Sequence, residues 1–185
     1  MDIRANGFSI CLKTLCLEDA CDIAKHANDP DIARNVAHIG DFPLPYTEEC
    51  ALSFIASALE MECTGYCAHF GITLGGTTIG ACALLNIDKE LHRCELGYWI
   101  GKEYWGKGYA SEALRLLLKF AFESIRIKEI TACTFRANAR STKLLNALRF
   151  SISGTQSGAQ SKSEVTYSLS NCRYADPIEI VISKQ

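Results

Sequence analysis

The residues with the clearest chemical content lie between Glu95 and Ala113. The run reads Glu95-Leu96-Gly97-Tyr98-Trp99-Ile100-Gly101-Lys102-Glu103-Tyr104-Trp105-Gly106-Lys107-Gly108-Tyr109-Ala110-Ser111-Glu112-Ala113. A strand pattern ends, a turn punctuated by Gly106 and Gly108 follows, and a helix begins. Glycines at such positions can take positive φ and let the main chain come close to a ligand. Successive N–H groups in the turn form an anion nest, and the helix N-terminus adds partial positive charge. Each such interaction contributes about 0.3–2 kcal/mol, so several together can hold a pyrophosphate. Lys107 adds a full charge. The run lacks the G-K-[ST] of a Walker loop and the third glycine of the dinucleotide fingerprint. A plain tight turn and a nucleotide site both remain open readings of the glycines alone.

The surrounding patterns show which elements must position this turn. Phe8 to Leu12 alternates as a strand, and Leu17-Glu18-Asp19-Ala20 starts a helix that Asn28-Asp29-Pro30 ends. Asp31 to Val36 reads as a short helix. The prolines of Gly40 to Tyr46 force an extended loop, and Thr47 caps a helix carrying Leu52, Ile55, Ala56 and Leu59. Tyr66 to Leu74 and Thr77 to Asn86 form a hairpin about Gly75-Gly76, followed by a strand from Arg93 to Ile100. Tyr109 to about Ser124 is an apolar helix, Glu129 to Phe135 a buried strand, and Ser141 to Leu148 a short helix. Phe150 to Thr155 and Glu164 to Leu169 close the pattern around a Ser/Gly/Gln loop from Gln156 to Ser163. The order implies an α/β (α+β) fold with one mixed sheet and helices on both faces. Residues 1–170 form the expected domain. Residues 171–185 are a C-terminal tail or an added edge strand, and with the sheet edge they can support a homodimer.

Composition narrows the classes. With 48% apolar and 22% charged residues, the chain has material for a real core and is not disordered. It lacks a run of ~20 apolar residues, so no membrane partner is expected. The N-terminus lacks a basic-then-apolar leader pattern, which points to a cytoplasmic protein. A net charge of −2 argues against nucleic acid as a partner. Residues 1–95 hold 14 acidic and 6 basic side chains, whereas residues 96–185 hold 7 acidic and 13 basic. That asymmetry suits an anionic ligand on one side and a cationic one on the other. The 10 cysteines form no C-x-x-C pair and mostly sit in apolar runs, so they read as reduced, buried small hydrophobes. The 4 histidines show no ligand spacing, and no metal is expected.

Four blocks, in order across roughly residues 8–170, resemble the GNAT acetyltransferases, and within them the RimJ/RimL-type branch that includes ribosomal-protein N-acetyltransferases. Trp105-Gly106-Lys107-Gly108-Tyr109-Ala110 is similar to that family's acetyl-CoA pyrophosphate loop. Glu95 to Ile100 is similar to its fourth strand. Phe135-Arg136-Ala137-Asn138-Ala139-Arg140-Ser141, continuing to Phe150, resembles its N-x-x-S helix and the strand that follows. Leu17-Glu18-Asp19-Ala20 and Pro43 to Glu49 resemble its first helices and substrate-side loop.

The resemblance implies a mostly antiparallel sheet with one parallel strand pair that splays around acetyl-CoA, with no metal. The pyrophosphate would lie on the backbone from Gly106 to Ala110, within the cofactor-binding stretch Trp105, Gly106, Lys107, Gly108, Tyr109, Ala110 and Ser111. The pantetheine arm would run along Trp99 and Ile100, and Asn138 would hydrogen-bond it. Glu95 would act as general base, and Ser141 would meet the departing sulfur from the cofactor side. Their alternatives are a surface ion pair for Glu95 and a helix cap for Ser141. The chain departs from the family at three points: Leu145 replaces a tyrosine acid, Arg149 replaces a glycine, and Trp105 replaces an arginine or glutamine. The implied activity is transfer of an acetyl group from acetyl-CoA to a primary amine in a ternary complex. A peptide or protein N-terminus ranks first as acceptor. An amino acid, polyamine or antibiotic amine is the alternative, and a non-catalytic acyl-CoA-binding module is the rival class. Asp41, Glu48 and Glu49 could draw a cationic acceptor.

Overall fold

The computed structural model describes residues 1–36, 42–157 and 163–183. The chain opens with β1 (Asp2–Ala5) and β2 (Ile10–Thr14), then α1 (Ala20–Ala27), α2 (Pro30–Val36) and α3 (Glu48–Thr64). β3 (Ala68–Leu74), β4 (Thr77–Asp88) and β5 (Arg93–Ile100) follow. Next come α4 (Tyr109–Lys119), β6 (Glu129–Phe135) and α5 (Ala139–Ala147). β7 (Ser151–Ser157), β8 (Ser163–Ser170) and β9 (Ile180–Ser183) complete the described chain. All these strands join one sheet in the order β7-β8-β6-β5-β4-β3-β2-β1-β9. β5 and β6 pair in parallel, and the other recorded pairings are antiparallel. The mixed, mostly antiparallel sheet is the fold the sequence pattern and the resemblance led us to expect.

Two apolar layers cover the sheet. On one, α4 buries Ala113, Leu114, Leu116, Leu117 and Leu118 against strand residues such as Leu12, Phe70 and Leu84. On the other, Ile23 of α1 meets Ala51 and Ile55 of α3. Local chemistry sets the ends. Thr47 Oγ1 accepts from the Cys50 N–H at 3.3 Å and starts α3. Pro30 opens α2, where its fixed φ suits the first turn and its missing N–H costs nothing. The sequence predicts one helix to about Ser124. The α-helix instead ends at Lys119, and Phe120–Ser124 widens into a π-turn that still buries Phe120, Ala121 and Phe122.

Some expectations change. β1 is not anticipated by the sequence pattern, because its four residues alternate too briefly to read. The loop expected from Gln156 to Ser163 is shorter: β7 runs through Ser157 and β8 begins at Ser163. The rest of that loop, and Asp41, lie outside the described residues. All 10 cysteines are free thiols, but only Cys82 and Cys94 are buried; Cys21, Cys63 and Cys172 are exposed. Sequence context alone overstates cysteine burial, because an apolar run in a strand or helix still turns one face outward. No helix among the described residues is long and apolar enough to cross a membrane.

Candidate active site

β5 and β6 pair only from Arg93↔Glu129 to Glu95↔Thr131. Beyond that point each strand follows a different neighbour, β5 along β4 and β6 along β8. The sheet's twist then separates them. The gap is a cleft of about 530 Å³. Glu95, Trp99 and Ile100 line it from β5, and Asn138 and Ser141 line it from α5. Trp105, Gly106, Gly108, Ala110 and Ser111 line it from the turn and α4. Lys107 and Tyr109 are not among the lining residues. Glu48 and Glu49 are not either; both are exposed in the first turn of α3.

The main chain of β5 is oriented for a ligand. Gly101 N–H donates to Ile79 O at 2.8 Å, with Ile100 opposite Gly80. In an antiparallel ladder this makes Trp99, Gly97 and Glu95 the residues that bond β4. It turns the N–H groups of Tyr98 and Ile100, beyond the last parallel pair, toward the open edge. The Ile100 carbonyl is occupied by the Trp105 indole N–H at 2.8 Å.

The glycine turn has the backbone its residue types predict. Gly106 and Gly108 have φ of 76° and 88°. Gly108 is the N-cap of α4, and no side chain caps that end. The first N–H groups of α4 are thus presented without an internal partner, the arrangement that binds an oxyanion. The acid in that first turn, Glu112, is directed elsewhere: its Oε2 accepts from Ser9 N–H at 2.8 Å and Ile10 N–H at 3.2 Å. Arg140 brings its guanidinium to 4.5 Å from the centre of the Trp105 indole ring, and Lys107 Nζ stands 5.6 Å from the Tyr104 ring centre. These cations border the turn, and the residues fit a diphosphate ester.

The opposite wall carries the polar groups for chemistry. Asn138 is the N-cap of α5, with Oδ1 accepting from Ser141 N–H at 3.2 Å. The cap role belongs to Asn138 rather than Ser141, and it leaves the Asn138 amide N–H groups to donate. Ser141 is buried, and its Oγ accepts from the Tyr98 hydroxyl at 2.9 Å. Burial pushes the Tyr98 phenol up to about 12, against the lowering effect of the Ser141 hydrogen bond. Leu145 is fully buried on α5 and has no proton to give. Glu95 sits at the throat, where the parallel pairing ends, and its Oε2 accepts from Asn86 Nδ2 at 3.4 Å. Cys133 also lines the cleft, its Sγ 3.6 Å from Glu164 Oε2. Burial, followed by the Glu164 charge, raises its thiol to about 11 and keeps it protonated. Tyr98 and Cys133 escaped sequence reasoning. Tyr98 stood inside the quoted motif, but its partner is 43 residues away and no spacing rule links them.

Among known proteins, p20, an uncharacterised N-acetyltransferase of Bacillus licheniformis, is 33% identical over 150 residues, covering 78% of this chain and 80% of p20. A RimL ribosomal L7/L12 α-N-protein acetyltransferase with coenzyme A bound superposes with a TM-score of 0.83 at 15% identity, covering 94% of this chain and 99% of that one. Mycobacterium smegmatis RimJ, in complex with a CoA disulfide, superposes with a TM-score of 0.81 at 18% identity, covering 92% and 86%. At those identities the two structures speak for the fold. The model of the acetyltransferase (GNAT) domain matches residues 9–151, the stretch that runs from β2 through the glycine turn to the start of β7. With that match joined to a splayed parallel pair and an uncapped glycine turn, the chain belongs to the GNAT acetyltransferases, which take their acetyl group from acetyl-CoA.

Proposed function

We propose that this chain acetylates the α-amine of a peptide or protein N-terminus by direct attack within a ternary complex. The observation that carries the reading is the placement of Glu95, at the point where β5 and β6 part and beside a cleft whose other wall is Asn138 and Ser141. Acetyl-CoA supplies a thioester carbonyl for the amine to attack. The turn from Trp105 to Ser111 would hold the pyrophosphate through main-chain N–H groups, with Lys107 adding charge nearby. The strand edge at Trp99 and Ile100 would align the pantetheine arm, and an Asn138 amide N–H would donate to it. The Ile100 N–H, on the open edge of β5, would face the carbonyl oxygen as negative charge grows there. Glu95 accepts the proton of the incoming ammonium, directly or through one water. Ser141 presents its hydroxyl to the departing sulfur.

The choice of acceptor is supported by the lining. Glu95 is the one carboxylate among the described residues that line the cleft. It can serve one ammonium, whereas a polyamine would bring a second cation with no carboxylate to meet it. Ile32 and Val36 of α2 add an apolar wall that suits a small uncharged side chain beside the amine. RimL, named for α-N-protein acetylation, shares the fold.

The test is CoA release from acetyl-CoA with a panel of short peptides of varied N-terminal residue, free amino acids, spermidine and amine antibiotics. Alanine- or serine-initiated peptides should give the highest kcat/KM. Turnover confined to polyamines or antibiotics would overturn the acceptor assignment. Glu95→Gln should cut kcat/KM by at least about tenfold; a loss below about threefold (~0.6 kcal/mol) would remove Glu95 as the base.

A further inference from the structure

The tyrosine of β5 and the serine of α5 meet across the cleft although nothing in their local sequence requires it. The Tyr98 hydroxyl donates to Ser141 Oγ at 2.9 Å. A serine hydroxyl has one proton and two lone pairs. With one lone pair taken by a donor, the remaining question is where the Ser141 proton goes. A helical serine can donate to the carbonyl one turn back. Ser141 stands in the first turn after the Asn138 cap, and no bond of that kind is found among the described residues. Its Oγ has no other partner among them, and the residue is only 9% exposed, on the cleft wall. The proton is left for a ligand.

We propose that Tyr98 is the positioning residue that aims the Ser141 hydroxyl at the sulfur of CoA, an inference that rests on the acetyltransferase reading above. A phenol is a stronger acid than an alkanol, so Tyr98 is the natural donor of the pair. Its donation turns the Ser141 proton into the cleft and strengthens it as a hydrogen-bond donor. Tyr98 does not itself give up its proton. Burial raises its pKa above the ordinary value, so it is a weaker acid than a thiol with an ordinary pKa of about 8.5. In the transfer, the amine lone pair forms the C–N bond and the C–S pair goes to sulfur. Glu95 takes one proton from the incoming ammonium before attack, the second is lost from nitrogen to solvent water as the amide forms, and the Ser141 O–H hydrogen-bonds the departing thiolate without transfer from Tyr98.

The experiment reads the acidity of enzyme-bound CoA and needs no acceptor. The CoA thiol is titrated by its thiolate ultraviolet absorbance, as the difference between the CoA and desulfo-CoA complexes, for the wild type, Tyr98→Phe, Ser141→Ala and the double variant. Calorimetric CoA affinity and melting temperature check that each variant is folded and loaded. A hydrogen bond to the thiolate makes the thiol a stronger acid. Tyr98→Phe should weaken that acid about tenfold, Ser141→Ala at least as much, and the double variant no more than Ser141→Ala alone. If Ser141→Ala weakens the acid and Tyr98→Phe does not, Ser141 keeps its place and Tyr98 loses its role. Losses that multiply in the double variant overturn the route through Ser141. If Ser141→Ala changes nothing, Ser141 does not face the sulfur and the Tyr98 proposal falls with it. Failure of the wild type to bind CoA would sink the site reading as a whole.

Discussion

At the scale of single residues, the two glycines of the turn are there for backbone conformation rather than space. A Cβ built on Gly106 or Gly108 meets nothing within 4 Å, yet both residues have positive φ. Gly108→Ala should therefore cost about 1–2 kcal/mol of conformational strain. It should also weaken CoA binding about tenfold, because the strain is relieved by tilting the first N–H groups of α4 away from the nest. Calorimetry and thermal melting read the two effects separately. Arg149 presents the converse case. It stands where the family's pattern has glycine, and the chain keeps the glycine conformation, with φ of 67°. Arg149→Gly should raise unfolding free energy by about 1 kcal/mol in urea titration, the relief of strain exceeding the entropy that glycine adds to the unfolded chain. Unchanged or lower stability would show that the turn is not strained.

At the scale of elements, the site depends on how α4 and β5 are held. Glu112 ties the first turn of α4 to β2 through two main-chain N–H groups, which fixes the direction in which the helix N-terminus points. Glu112→Ala leaves both donors without their carboxylate. It should cost about 1–2 kcal/mol in urea titration, because Ile10 is buried while the exposed Ser9 N–H can turn to water. β5 in turn lies close against β4 because Gly80 has no side chain. A Cβ there would lie 2.8 Å from the Ile100 Cα.

At the scale of the whole molecule, the end of the described chain is strapped back onto its beginning. β9 pairs with β1 along Asp2↔Ser183 to Ala5↔Ile180. Before it, Arg115 of α4 holds both oxygens of Asp176 at 2.6 Å, and Lys119 Nζ donates to the Asp176 carbonyl at 3.2 Å. The Arg115 hydrogen bonds, outweighing burial, hold the Asp176 carboxyl below the usual carboxylate range. A carboxyl lowered in the folded state adds stability above its unfolded value, near ~3.9, and loses it as pH falls through the folded value. The melting-temperature gap between wild type and Asp176→Asn should thus be largest near neutral pH and close in acid. A gap that persists at low pH would mean that the strap acts through packing alone.

Much of the local geometry of the candidate site was legible in the residues because its parts are local. Positive-φ glycines before a helix, an asparagine three residues ahead of a serine, and an alternating strand each state their conformation within a few residues. The limits of β5 and β6 follow from Arg93 to Ile100 and Glu129 to Phe135 without long-range information. What the sequence could not decide was everything that needs two distant segments to meet. Local patterning is the same whether or not strands stay paired beyond Glu95 and Thr131, so the cleft exists only once twist and separate neighbours pull β5 from β6. The Tyr98–Ser141 bond, the direction of Glu112 and the exposure of Cys21, Cys63 and Cys172 have the same origin. Each depends on which side of an element ends up against another, and that is set by packing of the whole sheet.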